Sequence, residues 1–203
     1  HSYTEPTKKA DDTALNDASM KVMEYIGNST LTQEAANEIH NSYLDILKNN
    51  GNIFDEFGFV RGDLVEEDQP AINAVTAELE KIVADAEEKI ASGEYVKIDG
   101  MKEYNKIADA LDAELMENYS QEEIAALAEK AGDEINARFG EIIEKAEALT
   151  GTVAENKDAL AEIESELSAL YAEMKNCLDG VHNGLVYEVT EEAKCEVNAI
   201  ESA

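Results

Sequence analysis

Residues 152–178, TVAENKDALAEIESELSALYAEMKNCL, place Val153, Asn156, Leu160, Ile163, Leu167, Leu170, Met174 and Cys177 at alternating steps of three and four. That spacing draws one narrow apolar stripe down a helix, and a stripe of this kind is stable only against other helices. Thr152 and Glu155 have the spacing of a capping box at its start. The stretch before it repeats the pattern with Ile124, Ala128, Ala131, Ile135, Ile142, Ala146 and Leu149, opened by a second box from Ser120 and Glu123. Thr150-Gly151 then reads as a tight helix-to-helix turn.

Further upstream, Ile72, Val75, Leu79, Ile82, Ala86 and Ile90 form a third stripe, with Asp68 placed as its cap and Pro70 in the permissive first turn. Met101, Tyr104, Ala108, Leu111 and Leu115 resume helical spacing after the break SGEYVKIDG at 92–100, a second loop or a short hairpin. At the N-terminal end, Leu15, Val22, Ile26, Ala36, Tyr43 and Leu47 predict one continuous helix over 13–50, a rod of roughly 55 Å. Gly27 is its weak point, costing about 1 kcal/mol relative to alanine.

No strand pattern is read in the chain. The fold class expected is all-α: an elongated antiparallel bundle of three to four long helices with a small loop-rich cap. It would be a single extended domain over 1–203, with 51–67 as the cap loop and 179–203 as a C-terminal segment carrying the cysteine pair.

Composition agrees with helices and narrows function. There are 32 Glu and 29 Ala but only two Pro among 203 residues, and helix formers of this kind lose little side-chain entropy. The net charge of −30, with Arg61 and Arg138 as the only arginines, repels nucleic acid and anionic headgroups, whose binding needs clustered cations. Its bland role is a solvated, self-repelling surface.

Catalytic signatures are missing. A di-iron bundle needs Glu-x-x-His pairs, but the positions three residues before His40 and His182 are Asn37 and Asp179. Zinc-protease, P-loop, dinucleotide and EF-hand spacings are absent. The chain therefore reads as non-enzymatic, with no catalytic, metal or cofactor residue assigned and no cofactor expected.

Three features remain as candidate sites. Phe54, Phe57 and Phe59 concentrate three of the four phenylalanines within six positions, followed by Arg61-Gly62-Asp63. One reading makes them a hydrophobic plug over the helix ends, with Arg61 pairing Asp55 or Glu56; the other makes Phe54, Phe57, Phe59, Arg61 and Asp63 a partner-binding tip. Cys177 and Cys195 enclose 17 residues, and an even pair closing such a loop favours a disulfide in an oxidising compartment, stabilising by about 3 kcal/mol. Two reduced thiols are the alternative. Asn28 and Asn118 begin glycosylation acceptor triplets, or serve as capping polar residues.

The stretches AELEKIVADAEEKIASGEY, IAALAEKAGDEINARFGEIIEKAEAL and ALAEIESELSALYAEMKNC, with the C-terminal cysteine pair, resemble the glutamic acid/alanine-rich protein of the trypanosome surface coat. They span about half of the chain. The resemblance implies an extended helical bundle similar in architecture to variant surface glycoproteins and the trypanosome haptoglobin-haemoglobin receptor. It further implies an ectodomain on the extracellular face of the plasma membrane, held by a lipid anchor that is not in this sequence, among neighbouring coat proteins. The function expected is a non-enzymatic coat protein forming a dense, acidic, protective layer. The competing expectation is a receptor or adhesin that binds a host protein through the aromatic tip.

Overall fold

The computed structural model describes residues 7–182 and the segments 185–189 and 195–199, with side chains described through Gly180. Among the described residues six helices account for most of the chain: α1 (Thr13–Ile26), α2 (Gln33–Asn49), α3 (Gln69–Ala91), α4 (Gly100–Asn118), α5 (Gln121–Glu147) and α6 (Lys157–His182). Helical class is as the sequence predicts. A short antiparallel pair follows, β1 (Leu185–Val189) and β2 (Cys195–Ala199), with Leu185 opposite Ala199 and Val189 opposite Cys195. Five-residue alternations of this kind are too short to stand out beside long helical stripes.

The continuous first helix predicted over 13–50 does not form. Its apolar face is Leu15, Ala18, Ser19 and Val22 in α1, then Ala35, Ile39 and Tyr43 in α2. In an unbroken helix Ala35, 13 residues beyond Val22, would lie about 220° around the axis from it. A break is required to turn both faces inward. Local chemistry supplies it: the Asn28 side-chain oxygen accepts from the Thr30 N–H at 2.9 Å and the Thr30 hydroxyl at 2.8 Å. Thr32 then caps α2, accepting from the Ala35 N–H at 3.1 Å.

Where the sequence suggests one extended domain, the chain divides into two compact units: His1–Lys97 with Thr152–Ala154, and Ile98–Gly151 with Glu155–Ala203. In the first, α1, α2 and α3 pack on one another around Leu15, Val22, Ile39, Ile72, Val75 and Leu79. The break after α3 begins as a turn at Ser92–Gly93, with Gly93 at φ 80°, and straightens at Val96 and Lys97, where hydrogen bonds tie it on both sides. Thr32 N–H donates to the Tyr95 carbonyl at 3.0 Å, Lys97 N–H to Thr30 at 2.9 Å and Val153 N–H to Val96 at 2.9 Å.

In the second unit α4, α5 and α6 pack around Leu115, Leu127, Ala131, Ile135, Ile163, Leu167 and Leu170. Helices touched from two sides bury a broader face than a coiled-coil seam. That is why Leu127 is buried while Ala128 is exposed, and why Tyr171 and Leu178 join the α6 stripe. Similarly, Val83 replaces Ile82 as the buried residue of α3.

The Ser120–Glu123 capping box forms as expected. Asp68 does not cap α3 with its side chain; its carboxylate accepts from the Val65 N–H at 2.8 Å, closing a 3-10 turn over Glu66–Asp68. α6 likewise begins at Lys157, after a 3-10 turn at Ala154–Asn156, later than the box at Thr152 and Glu155 implies. Asn156 is buried and donates to the Thr150 carbonyl at 2.7 Å.

Two tyrosines tie α4 and the residue after it to α6. The Tyr171 hydroxyl donates to Asp112, and that of Tyr119 to Asp179. Phe139 of α5 meets the Tyr171 ring edge-on, with centroids 5.6 Å apart. Burial, then the Asp112 hydrogen bond, pushes the Tyr171 phenol well above the ordinary tyrosine value. Burial also raises Tyr104.

Two outcomes follow from this packing. A Cβ on Gly100 would sit 1.8 Å from the Ala146 carbonyl oxygen, a backbone atom that cannot rotate away. Gly100→Ala is expected to destabilise the second unit by about 3 kcal/mol, measured by urea unfolding. Because the folded phenol of Tyr171 is raised, its contribution is complete below the ordinary tyrosine range and is lost as pH climbs toward the raised value. Melting temperature should therefore fall above about pH 10, and fall less steeply in Tyr171→Phe.

Candidate functional site: the aromatic hairpin at residues 53–61

The hairpin starts where α2 stops. Asn50 ends the helix by donating from its side-chain amide to the Ile46 carbonyl at 2.8 Å, and its own carbonyl receives the N–H groups of Ile53 and Phe54, both at 3.0 Å. Phe54 then pairs across to Val60, with Arg61 N–H donating to the Ile53 carbonyl at 2.9 Å. The loop between them is held by one carboxylate. A single oxygen of Asp55 accepts from the N–H of Phe57 and of Phe59, each at 2.9 Å, while Asp55 N–H donates to the Phe59 carbonyl at 2.8 Å. Gly58 sits at φ 85°, a left-handed conformation that a side chain would strain.

The aromatics divide between interior and surface. Phe54 is 2% exposed and packs into the first unit's core with Ile53 and Leu64. Phe57 and Phe59 are 77% and 69% exposed. Val60 is half-buried, so of the predicted tip residues only Phe54 serves wholly as plug. The base is fastened by the segment before α1, which carries no sequence motif: Ala10 N–H donates to the Leu64 carbonyl at 3.2 Å, and Glu66 N–H to that of Lys8 at 2.9 Å.

Arg61 pairs with neither Asp55 nor Glu56, as the sequence had suggested. Its Nε and Nη2 donate to the two oxygens of Asp63 at 3.0 and 2.8 Å. One oxygen of Asp55 is instead taken by the loop amides. The guanidinium's hydrogen bonds hold the Asp63 carboxyl below the ordinary carboxylate range. The charged ends of Arg61-Gly62-Asp63 are thus engaged with each other in a two-point fork.

Elsewhere the candidate residues serve the backbone. Asn28 forms the turn between α1 and α2, and the Asn118 side-chain amide donates to the Glu114 carbonyl at 2.9 Å near the end of α4. His40 is exposed on α2. Cys177 is fully buried in α6 and is not a free thiol, while His1 and the side chains of His182 and Cys195 lie outside the described residues. Among the described residues no group of three His, Cys, Asp or Glu is placed to hold a metal ion, and no helix is long and apolar enough to cross a membrane.

Asp55, expected only as a partner for Arg61, is instead the organiser of the loop, and an aspartate three residues before a glycine is itself a turn signal. Asp55→Ala leaves two loop amides without their acceptor. Amide exchange at Phe57 and Phe59 is expected to accelerate at least about tenfold, equivalent to about 1.4 kcal/mol, while helical circular dichroism is unchanged. No family model, curated protein or solved structure matches this chain.

Proposed function

We propose that this chain is the ectodomain of a non-enzymatic cell-surface protein that meets a protein partner through the hairpin at 53–61. The observation that carries the reading is the exposure of Phe57 and Phe59 on a loop fixed by Asp55. Water-facing aromatics are costly to keep, and a loop already ordered loses little entropy on docking. Partner anchors elsewhere are characteristically aromatic and preorganised in this way.

A coat protein is the second reading. It is supported by the net charge of −30, which keeps crowded copies apart, and by the glutamate- and alanine-rich stretches that resemble the trypanosome coat. In that reading a lipid anchor outside this sequence holds the ectodomain among neighbouring coat proteins, and a Cys177–Cys195 disulfide suits the oxidising exterior.

Antibody against the chain is expected to label intact cells, and labelling confined to permeabilised cells overturns both readings. Release by a phosphatidylinositol-specific phospholipase supports the lipid-anchored coat; retention after that treatment counts against it. Attachment of beads carrying the chain to host cells should drop about tenfold with Phe57→Ser/Phe59→Ser if the hairpin is the docking element. Unchanged attachment would remove the hairpin from the function.

A further inference from the structure

We infer that the hairpin's partner presents an apolar pocket rimmed by lysine or arginine, a conclusion that rests on the reading of residues 53–61 as a docking element. Three observations specify the chemistry. First, Phe57 and Phe59 flank Gly58, whose backbone is tied down on both sides, so the two rings leave the body as one preset pair. Each buried ring removes about 150–200 Å² from water. Together they supply only about half of the roughly 800 Å² per partner of a stable interface. Surface around the rings must contribute the remainder.

Second, the chain on either side of the rings is acidic. From Asp45 to Asp68 there are seven acids and two bases, a local balance of −5. One of the bases, Arg61, is already matched by Asp63. Glu56, adjacent to Phe57 in sequence, is exposed. A neutral or acidic rim on the partner would leave these carboxylates to be desolvated without a counter-charge, which is costly, whereas a cationic rim pairs them.

Third, the same balance opposes the other occupants that exposed aromatics can have. A second copy of this chain carries the same acids, and anionic lipid or nucleic acid repels them. A cationic protein face is left as the occupant, drawn in by charge and held by the rings.

The test uses the whole chain, labelled with 15N, and as probe an amphipathic peptide of lysine and leucine, with a glutamate and leucine peptide and phosphatidylcholine vesicles as comparators. Saturable shifts concentrated at residues 55–61 are expected with the cationic peptide. They should weaken about tenfold in Phe57→Ser/Phe59→Ser and weaken again as salt is raised to about 0.5 M. No shifts are expected with the acidic peptide or the vesicles.

Shifts spread over the acidic helices and indifferent to the double variant would reduce the interaction to bulk charge and overturn the inference. Vesicle binding that the double variant abolishes would make the hairpin a lipid-inserting element and overturn it equally. Both rings are exposed, so the variant should retain the parent's circular dichroism and melting temperature. Docking of the peptide by a protein found only inside cells would sink the surface reading and leave the pocket chemistry standing. Surface labelling without peptide docking would do the reverse.

Discussion

Thirty net negative charges push the helices of this chain apart, and what draws each unit together is the apolar face of each helix. That opposition explains which way the faces turn. Repulsion is long-ranged and diffuse, whereas burial acts only where side chains touch, so charge is accommodated outward and contact decides the fold. The cores of both units are built mainly from aliphatic residues, tyrosines and small alanines, and the ion pairs Lys89–Glu38 and Lys145–Glu166 lie toward the surface, where each contributes little.

The same demand for inward-facing stripes accounts for the largest departure from sequence expectation. Leu15 to Tyr43 looked like one face because apolar residues recur at steps of three and four on either side of Gly27. The phase of Ala35, Ile39 and Tyr43 does not follow from that of Val22, however, and residue numbers alone carry that mismatch. What sequence spacing did not reveal was the fastening: Thr30 and Thr32 are bound to Tyr95 and Lys97, more than sixty residues away. Local spacing carries no record of such pairings. By contrast, the Ser120–Glu123 cap was legible because its cause lies within four residues, whereas Thr150-Gly151 is not the tight helix-to-helix turn expected: α5 ends at Glu147, α6 begins at Lys157, and Gly151, at φ 90°, sits inside the connection.

The hairpin was legible in part for a related reason. Composition marked the phenylalanines as unusual, but the choice between plug and tip depended on which rings the backbone aims inward. That is decided by Asp55, whose two accepted hydrogen bonds curl the loop, and by the pairing of Phe54 with Val60. An aspartate is among the commonest residues in this chain, so its special duty left no compositional trace. Arg61 tells a related story, since its partner is Asp63, two residues on, and not the Asp55 that holds the loop amides.

The membership of Thr152–Ala154 in the first unit sets a limit on how that unit can be excised. Those three residues arrive from more than fifty positions downstream, and their amides satisfy the carbonyls of Gly93 and Val96. A fragment truncated after Lys97 would keep all three of its helices yet strip one flank from the extended segment that fastens α2. No single cut in the polypeptide separates the two units cleanly. The first unit draws on two separate passes of the chain, so its autonomy belongs to a spliced piece, not to any contiguous one.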